Sequence, residues 1–179
     1  KTHIYKDLDC RVRGLSLHEI LQKIPRETDL IGISCMFTQE WLFVKVVVEA
    51  ISAEFPGVPI VLGGEHITAM PEYILDTCSA ADICALGEGE ETIVDIAENY
   101  HKSLESIQGI VYRGGDGKIK VTESRKRIRD IEGIPRPKWD ELPIEAYLGS
   151  GFGHGINAGR TMPILATRGC PFQCTFCSN

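Results

Sequence analysis

Val58-Pro59-Ile60-Val61-Leu62-Gly63-Gly64-Glu65-His66 is the stretch on which the fold turns. Val58 to Leu62 is a short apolar, β-branched run, and its length suits a strand better than a helix. Gly63 and Gly64 end it, and glycines there let another group approach the backbone closely. Upstream, Thr38 caps a helix that runs to about Phe55 and is apolar over much of its girth, so it packs deeply. Before that, Asp29-Leu30-Ile31-Gly32-Ile33-Ser34 reads as another strand. Ser16-Leu17-His18-Glu19 is a capping box, and the helix it opens places Leu17, Ile20, Leu21 and Ile24 on one face before Pro25 stops it. Thr2 to Tyr5 reads as the first strand. Downstream, Pro71 sits at a first helical position and opens a short helix to Thr77. Asp82 to Leu86 reads as a strand and Glu90 to His101 as an amphipathic helix. Strand and helix alternate throughout, which implies a parallel sheet with helices on both faces. Right-handed crossovers then bring every strand-to-helix loop to one edge, where such sheets bind ligands.

The pattern changes after His101. Gly109 to Arg113 and Lys118 to Val121 flank Gly114-Gly115-Asp116-Gly117, a β-hairpin by its turn chemistry. A proline-rich connector follows from Ile134 to Pro143, and then a glycine-rich stretch from Gly149 to Gly159. Met162 to Thr167 reads as a short buried strand. It leads into Arg168-Gly169-Cys170-Pro171-Phe172-Gln173-Cys174-Thr175-Phe176-Cys177.

That last segment holds three cysteines in a C-x3-C-x2-C spacing. Three thiolates on one tight loop suit three irons of a 4Fe-4S cube and leave the fourth iron open to a substrate or cofactor. Clusters used only for electron transfer are held by four cysteines. Zinc is the competing reading, but it calls for a fourth ligand, and His154 has no ligand-spaced partner. An odd total of seven cysteines argues against a disulfide framework. Cys10, Cys35, Cys78 and Cys84 show no ligand spacing and read as packing residues.

The composition, 43% hydrophobic and 25% charged, is that of a water-soluble globular protein. A net charge of −6 speaks against a general nucleic-acid binder. The locally basic stretch from Arg113 to Lys138 reads as a solvated hairpin and linker. No apolar run is long enough to span a membrane, and no signal peptide is visible. The expectation is a cytoplasmic protein without nucleic-acid or membrane partners.

Three loops fall on the ligand edge: Ser34-Cys35-Met36-Phe37-Thr38, Gly63-Gly64-Glu65-His66 and Gly87-Glu88-Gly89-Glu90. Ser34 and Thr38 offer hydroxyls there. The Gly87-x-Gly89 pair is a poor dinucleotide fingerprint, because Thr92 replaces the third glycine and Glu88, Glu90 and Glu91 would repel a pyrophosphate. His66 reads as a residue that fixes its loop or touches the edge of a ligand. Trp41 and Trp139 read as packing residues.

The cysteine loop resembles the signature of the radical S-adenosylmethionine (SAM) superfamily at all three cysteines, and Phe176 stands where that family has an aromatic. The three sheet-edge loops, in this order ahead of the cysteines, resemble the cobalamin-binding domain of the cobalamin-dependent class, as does the Pro-Arg-Pro-x-Trp-Asp connector. The resemblance covers nearly the whole chain. It implies a Rossmann-like, flavodoxin-like α/β domain over residues 1–105, a hairpin and linker over 106–160, and the start of a radical SAM barrel over 161–179. It also implies 4Fe-4S ligation by Cys170, Cys174 and Cys177, with Phe176 beside SAM. Cobalamin contacts would come from Ser34, Met36, Phe37, Thr38, Gly63, Gly64, Glu65, His66, Gly87, Glu88, Gly89 and Glu90. The implied chemistry is reductive cleavage of SAM to a 5'-deoxyadenosyl radical, used for methyl transfer to an unactivated carbon of a small-molecule substrate. A flavodoxin or ferredoxin would donate the electron. A non-methylating cyclase of the porphyrin pathway, or a binding module without turnover, is the alternative. No D-x-H-x-x-G pattern occurs, so no histidine on cobalt is expected. The family's first strand and helix are not seen, which leads the reading to expect Thr2 to Tyr5 as a second strand without its neighbour, in a chain cut at both ends.

Overall fold

The computed structural model describes residues 1–149, 159–161, 168–170, 172, 174 and 175. The described chain divides into two compact units, Lys1–Arg129 and Asp130–Asn179.

The first unit is built on a five-stranded sheet in the order β3-β4-β5-β6-β7. These strands are β3 (Ile31–Ser34), β4 (Ile60–Gly63), β5 (Ile83–Ala85), β6 (Ile110–Arg113) and β7 (Ile119–Val121). β3, β4 and β5 run parallel, with Ile31 opposite Ile60 and Val61 opposite Ile83. The helices are α1 (Leu17–Lys23), α2 (Trp41–Glu54), α3 (Glu65–Ala69), α4 (Pro71–Thr77) and α5 (Gly89–Asn99). Alternate strand residues divide the core between the two faces. Ile60, Leu62, Cys84 and Val111 pack with Trp41, Val48, Ile51, Ile67 and Leu75 on one side. Val61, Ile83, Ala85, Ile110 and Tyr112 pack with Ile96 and Ile107 on the other. Both faces are therefore covered, as the alternating pattern requires. The fold is the expected Rossmann-like α/β arrangement.

The predicted capping box is present. The Glu19 N–H donates to Ser16 Oγ at 3.3 Å, and the Ser16 N–H donates to Glu19 Oε2 at 2.8 Å. Pro71 opens α4 at its first turn.

Four expectations need correcting, three in the first unit and one, at Trp139, in the second. Thr2 to Tyr5 is not a strand of the main sheet. As β1 (Thr2–Tyr5) it pairs antiparallel with β2 (Cys10–Arg13), Thr2 opposite Arg13 and Tyr5 opposite Cys10. The turn between them is closed by Asp9, in the left-handed region at φ 46°, whose N–H reaches Lys6 O. A local partner four residues away satisfies the strand's backbone groups.

The second correction concerns the hairpin. β6 is hydrogen-bonded antiparallel to β5, with Ala85 opposite Ile110 and Ile83 opposite Tyr112, so the hairpin completes the main sheet. Ile110, Val111 and Tyr112 are buried in succession, which is how a strand covered on both faces reads. Third, Thr38 does not cap a helix with its side chain. A single 3-10 turn over Thr38–Glu40 precedes α2, and its N-cap makes no side-chain bond.

The second unit contains α6 (Ile144–Gly149), short turns at Ile131–Gly133 and Trp139–Glu141, and an ion pair of Arg160 with Glu145 at 2.9 Å. Trp139 is exposed, not packed. The expected strand Met162–Thr167, His154, Phe176 and Cys177 lie outside the described residues. Among the described residues no helix is long and apolar enough to cross a membrane.

Candidate functional site

The three loops stand side by side at the carboxyl ends of β3, β4 and β5, because those strands are parallel neighbours. Ser34 lies opposite Gly63 at the ends of β3 and β4. Just beyond, the Cys35 N–H donates to Gly63 O at 2.8 Å, and the His66 N–H donates to Cys35 O at 3.3 Å. The first two loops are thus stitched together through their backbones.

Gly64 has φ 102°, and a Cβ there would stand 2.5 Å from Cys35 O and 3.1 Å from Ser34 Oγ. No other residue fits that position without moving the loop. Gly63, Gly87 and Gly89 are different, since a Cβ on any of them would meet nothing within 4 Å. Their missing side chains leave open space at the sheet edge. Met36 and Phe37 are 47% and 54% exposed beside it, so an apolar surface borders the glycines.

The histidine and threonine do something that the sequence does not show. His66 is buried, at 3% exposure, and its Nδ1 is hydrogen-bonded to Thr38 Oγ1 at 3.1 Å. Its ring lies 5.9 Å from that of Trp41. Its Nε2 is enclosed and has no hydrogen-bond partner among the described residues. The Thr38 hydroxyl is therefore engaged with the imidazole. Glu65 is exposed at the start of α3, a short helix over a stretch that the sequence pattern leaves as loop.

The third loop is held from two sides. The Gly87 N–H donates to Thr68 Oγ1 at 3.0 Å, which ties it to α3. The Glu88 carboxylate accepts from the Ile128 N–H at 2.7 Å, which ties it to the segment leaving β7. Arg125 in that segment pairs with Asp95 at 2.5 Å and with Glu91 at 3.7 Å, and is largely buried. Glu90 and Glu91 sit in the first turn of α5 and suit its dipole. Thr68, Arg125 and Ile128 escape a sequence reading because their partners lie 19 to 40 positions away. The pairing of 68 with 87 carries no local signal at all.

Among the described cysteines, Cys10 is half-buried in β2 and the other five separate into two kinds. Cys35, Cys78 and Cys84 are buried and unpaired. Burial pushes the Cys84 thiol up to about 12, with Cys78 nearby adding to it, and burial also raises Cys35 and Cys78. Such thiols stay protonated and pack as small apolar groups. Cys170 and Cys174 are exposed and form no disulfide. Among the described residues no three His, Cys, Asp or Glu side chains gather into a metal-binding cluster.

A Rossmann-like α/β sheet covered on both faces, with glycines at the carboxyl ends of its parallel strands, is the class of fold that binds ligands at that edge. Comparison makes the class specific: the B12 binding domain family matches residues 3–97, more than half of this chain, and the chain belongs to that family. It is 30% identical to an uncharacterized methyltransferase of Pyrococcus horikoshii over 99% of this chain and 37% of the relative. It is 32% identical to the anaerobic magnesium-protoporphyrin IX monomethyl ester cyclase of Cereibacter sphaeroides, over 75% of this chain and 21% of that enzyme. The radical SAM methyltransferase TsrM from Kitasatospora setae, solved with cobalamin and a 4Fe-4S cluster, superposes with a TM-score of 0.51. That match covers 64% of this chain and 21% of TsrM at 18% identity, and supports the fold alone. The chain spans about a third of the length of the Pyrococcus relative and a fifth of the cyclase.

Proposed function

We propose that this chain is the front part of a cobalamin-dependent radical SAM enzyme and binds the corrinoid over the carboxyl edge of its sheet. One observation carries the reading: in a B12-binding domain, Gly63, Gly87 and Gly89 together leave open backbone at the ends of adjacent parallel strands. A corrinoid is broad and flat and needs such close approach on one side. Exposed Met36 and Phe37 suit its apolar surface, and Ser34 and Gly64 shape the wall beside Gly63. Glu65, Glu88 and Glu90 border the same edge.

The exposed thiols of Cys170 and Cys174 suit a 4Fe-4S cluster, with Cys177 completing the spacing and Phe176 beside bound SAM. When bound, these groups supply one-electron cleavage of SAM and methyl donation from the corrinoid. The chain's own task is to hold the corrinoid, orient it by the three loops and keep water from one face. The parent's reaction is methyl transfer to a small-molecule substrate, with a flavodoxin or ferredoxin as electron donor. Similarity to a named methyltransferase over 99% of the chain supports methylation. The 32% identity to the magnesium-protoporphyrin cyclase favours oxidative cyclisation as the second reading.

The test is anaerobic reconstitution of the 179-residue chain with iron, sulfide and hydroxocobalamin, followed by optical and EPR spectra. Expected are a corrinoid that stays with the protein through gel filtration and a 4Fe-4S signal that Cys174→Ala abolishes. Cluster without corrinoid would overturn the cobalamin assignment. Zinc in place of iron would overturn the cluster.

A further inference from the structure

The ring of His66 sits between two of the three ligand loops and is used by both. Its backbone N–H donates to Cys35 O, its Nδ1 is bonded to Thr38 Oγ1 28 residues away, and its ring leans on Trp41 at the start of α2. We propose that His66 is a positioning residue: with Thr38 it forms a clasp that sets the gap between the β3–α2 and β4–α3 loops, and so the seat of the corrinoid, without touching the ligand itself. The inference rests on the corrinoid reading above.

Two features argue for a clasp and not for packing or ligation. His66 is 3% exposed, and its Nε2 is enclosed, so the ring presents no nitrogen at the open edge. An enclosed Nε2 without a partner is costly, and an apolar ring would fill the same space without that cost. What the imidazole provides that an apolar ring cannot is the bond to Thr38. Thr38 is itself exposed, on a 3-10 turn whose N-cap makes no side-chain bond. Besides this bond, the links from that loop to α3 are the backbone contact at Cys35 and the ring contact at Trp41, neither of which fixes the turn by a side-chain hydrogen bond. The adjoining constraints point the same way: Gly64 is pressed against Cys35 O and Ser34 Oγ, so the β4–α3 loop has one permitted path. The clasp fixes the other loop against it.

The experiment measures equilibrium binding of hydroxocobalamin to the 179-residue chain and three variants. Removal of one neutral hydrogen bond predicts about fivefold weaker binding for Thr38→Val. Thr38→Ser keeps the hydroxyl and is expected to bind within about twofold of wild type. In a His66→Phe background, Thr38→Val is expected to cost nothing further, because the two residues act as one unit. Imidazole nitrogen shifts, followed by NMR, should move for His66 in Thr38→Val and stay in place in Thr38→Ser. This readout holds even if His66→Phe fails to fold. Wild-type affinity in Thr38→Val overturns the clasp while leaving corrinoid binding intact. So does an undiminished loss from Thr38→Val in the His66→Phe background, which would make Thr38 a direct contact. Absence of binding by the wild-type chain overturns both the clasp and the corrinoid reading.

Discussion

The two ends of the same parallel strands are built differently. At the carboxyl ends, glycines leave space, Met36 and Phe37 face solvent, and a buried imidazole holds the loops in register. At the amino ends, polar groups are tied off. The Asp82 carboxylate accepts from the Ile60 N–H at 2.8 Å, the Tyr100 hydroxyl donates to Asp29 O at 3.3 Å, and the Ile31 N–H donates to Pro59 O at 3.0 Å. Arg113, at the end of antiparallel β6, donates to Leu75 O. In the proposed reading, the tied-off end carries stability and the glycine-lined end carries the ligand. Substitutions at the two ends should therefore separate melting temperature from corrinoid affinity.

Gly64→Ala should break this separation most severely, since it strains the backbone and forces Cys35 away. With φ at 102° and a clash against backbone, a loss on the order of 3 kcal/mol is expected, lowering Tm by roughly 10 °C. Calorimetry of the purified variant checks it, and corrinoid binding should fall as well. An unchanged Tm would mean that the loop has a second path.

Asp82→Ala belongs to the closed end. It leaves the Ile60 N–H without its acceptor and should cost about 1–3 kcal/mol, with corrinoid affinity unchanged. Asp82→Asn keeps an acceptor and should restore most of that. Partial desolvation raises the Asp82 carboxyl above its usual 3.8, while the bond from Ile60 lowers it. A raised acid binds more protons folded than unfolded, so its contribution to stability falls as pH rises from 3.8 through the folded value. Asp82→Asn should remove that slope from a series of urea melts.

Gly63→Ala should sharpen the comparison from the open side. Its Cβ meets no protein atom, so Tm should stay within about 2 °C. The same methyl group intrudes on the ligand's space, and hydroxocobalamin affinity should fall about tenfold or more. Equal affinity would move the corrinoid away from β4.

Glu19, in the capping box of α1, should give the smallest effect. The Ser16 N–H, then Lys1 and the Ser16 hydroxyl, hold its carboxyl down at about 2. Because the folded value is depressed, the stabilisation is present above the ordinary 4.5 and is lost as pH falls toward 2. Glu19→Gln should flatten that acid limb, with little change at neutral pH. A full-sized acid loss in the variant would assign it to other carboxylates.

Much of this arrangement is legible in the residues, and the exceptions share a cause. Capping at Ser16, the helix start at Pro71 and the strands ending at Ser34, Gly63 and near Leu86 all depend on contacts within a few positions. Those signals survive in a linear reading. β2 escapes a linear reading because Cys10-Arg11-Val12-Arg13 alternates over only four residues between turns. The hairpin over residues 110–121 was legible as a hairpin but not as part of the sheet, because pairing with β5 spans the whole of α5. Thr38 reads as a helix cap from its neighbours, yet its hydroxyl finds His66 instead.

By itself the sequence determined the alternation of strands and helices, the edge on which the three strand-end loops gather, and the spacing of Cys170, Cys174 and Cys177. Period, turn chemistry and ligand spacing are local, so one dimension suffices to record them. Only the tertiary structure decided that β1 pairs with β2 and β6 with β5, that Glu88 holds the Ile128 N–H, and that His66 clasps Thr38. Each of the last three joins residues separated by 25 positions or more, where the choice of partner rests on packing of the whole domain, not on neighbours along the chain.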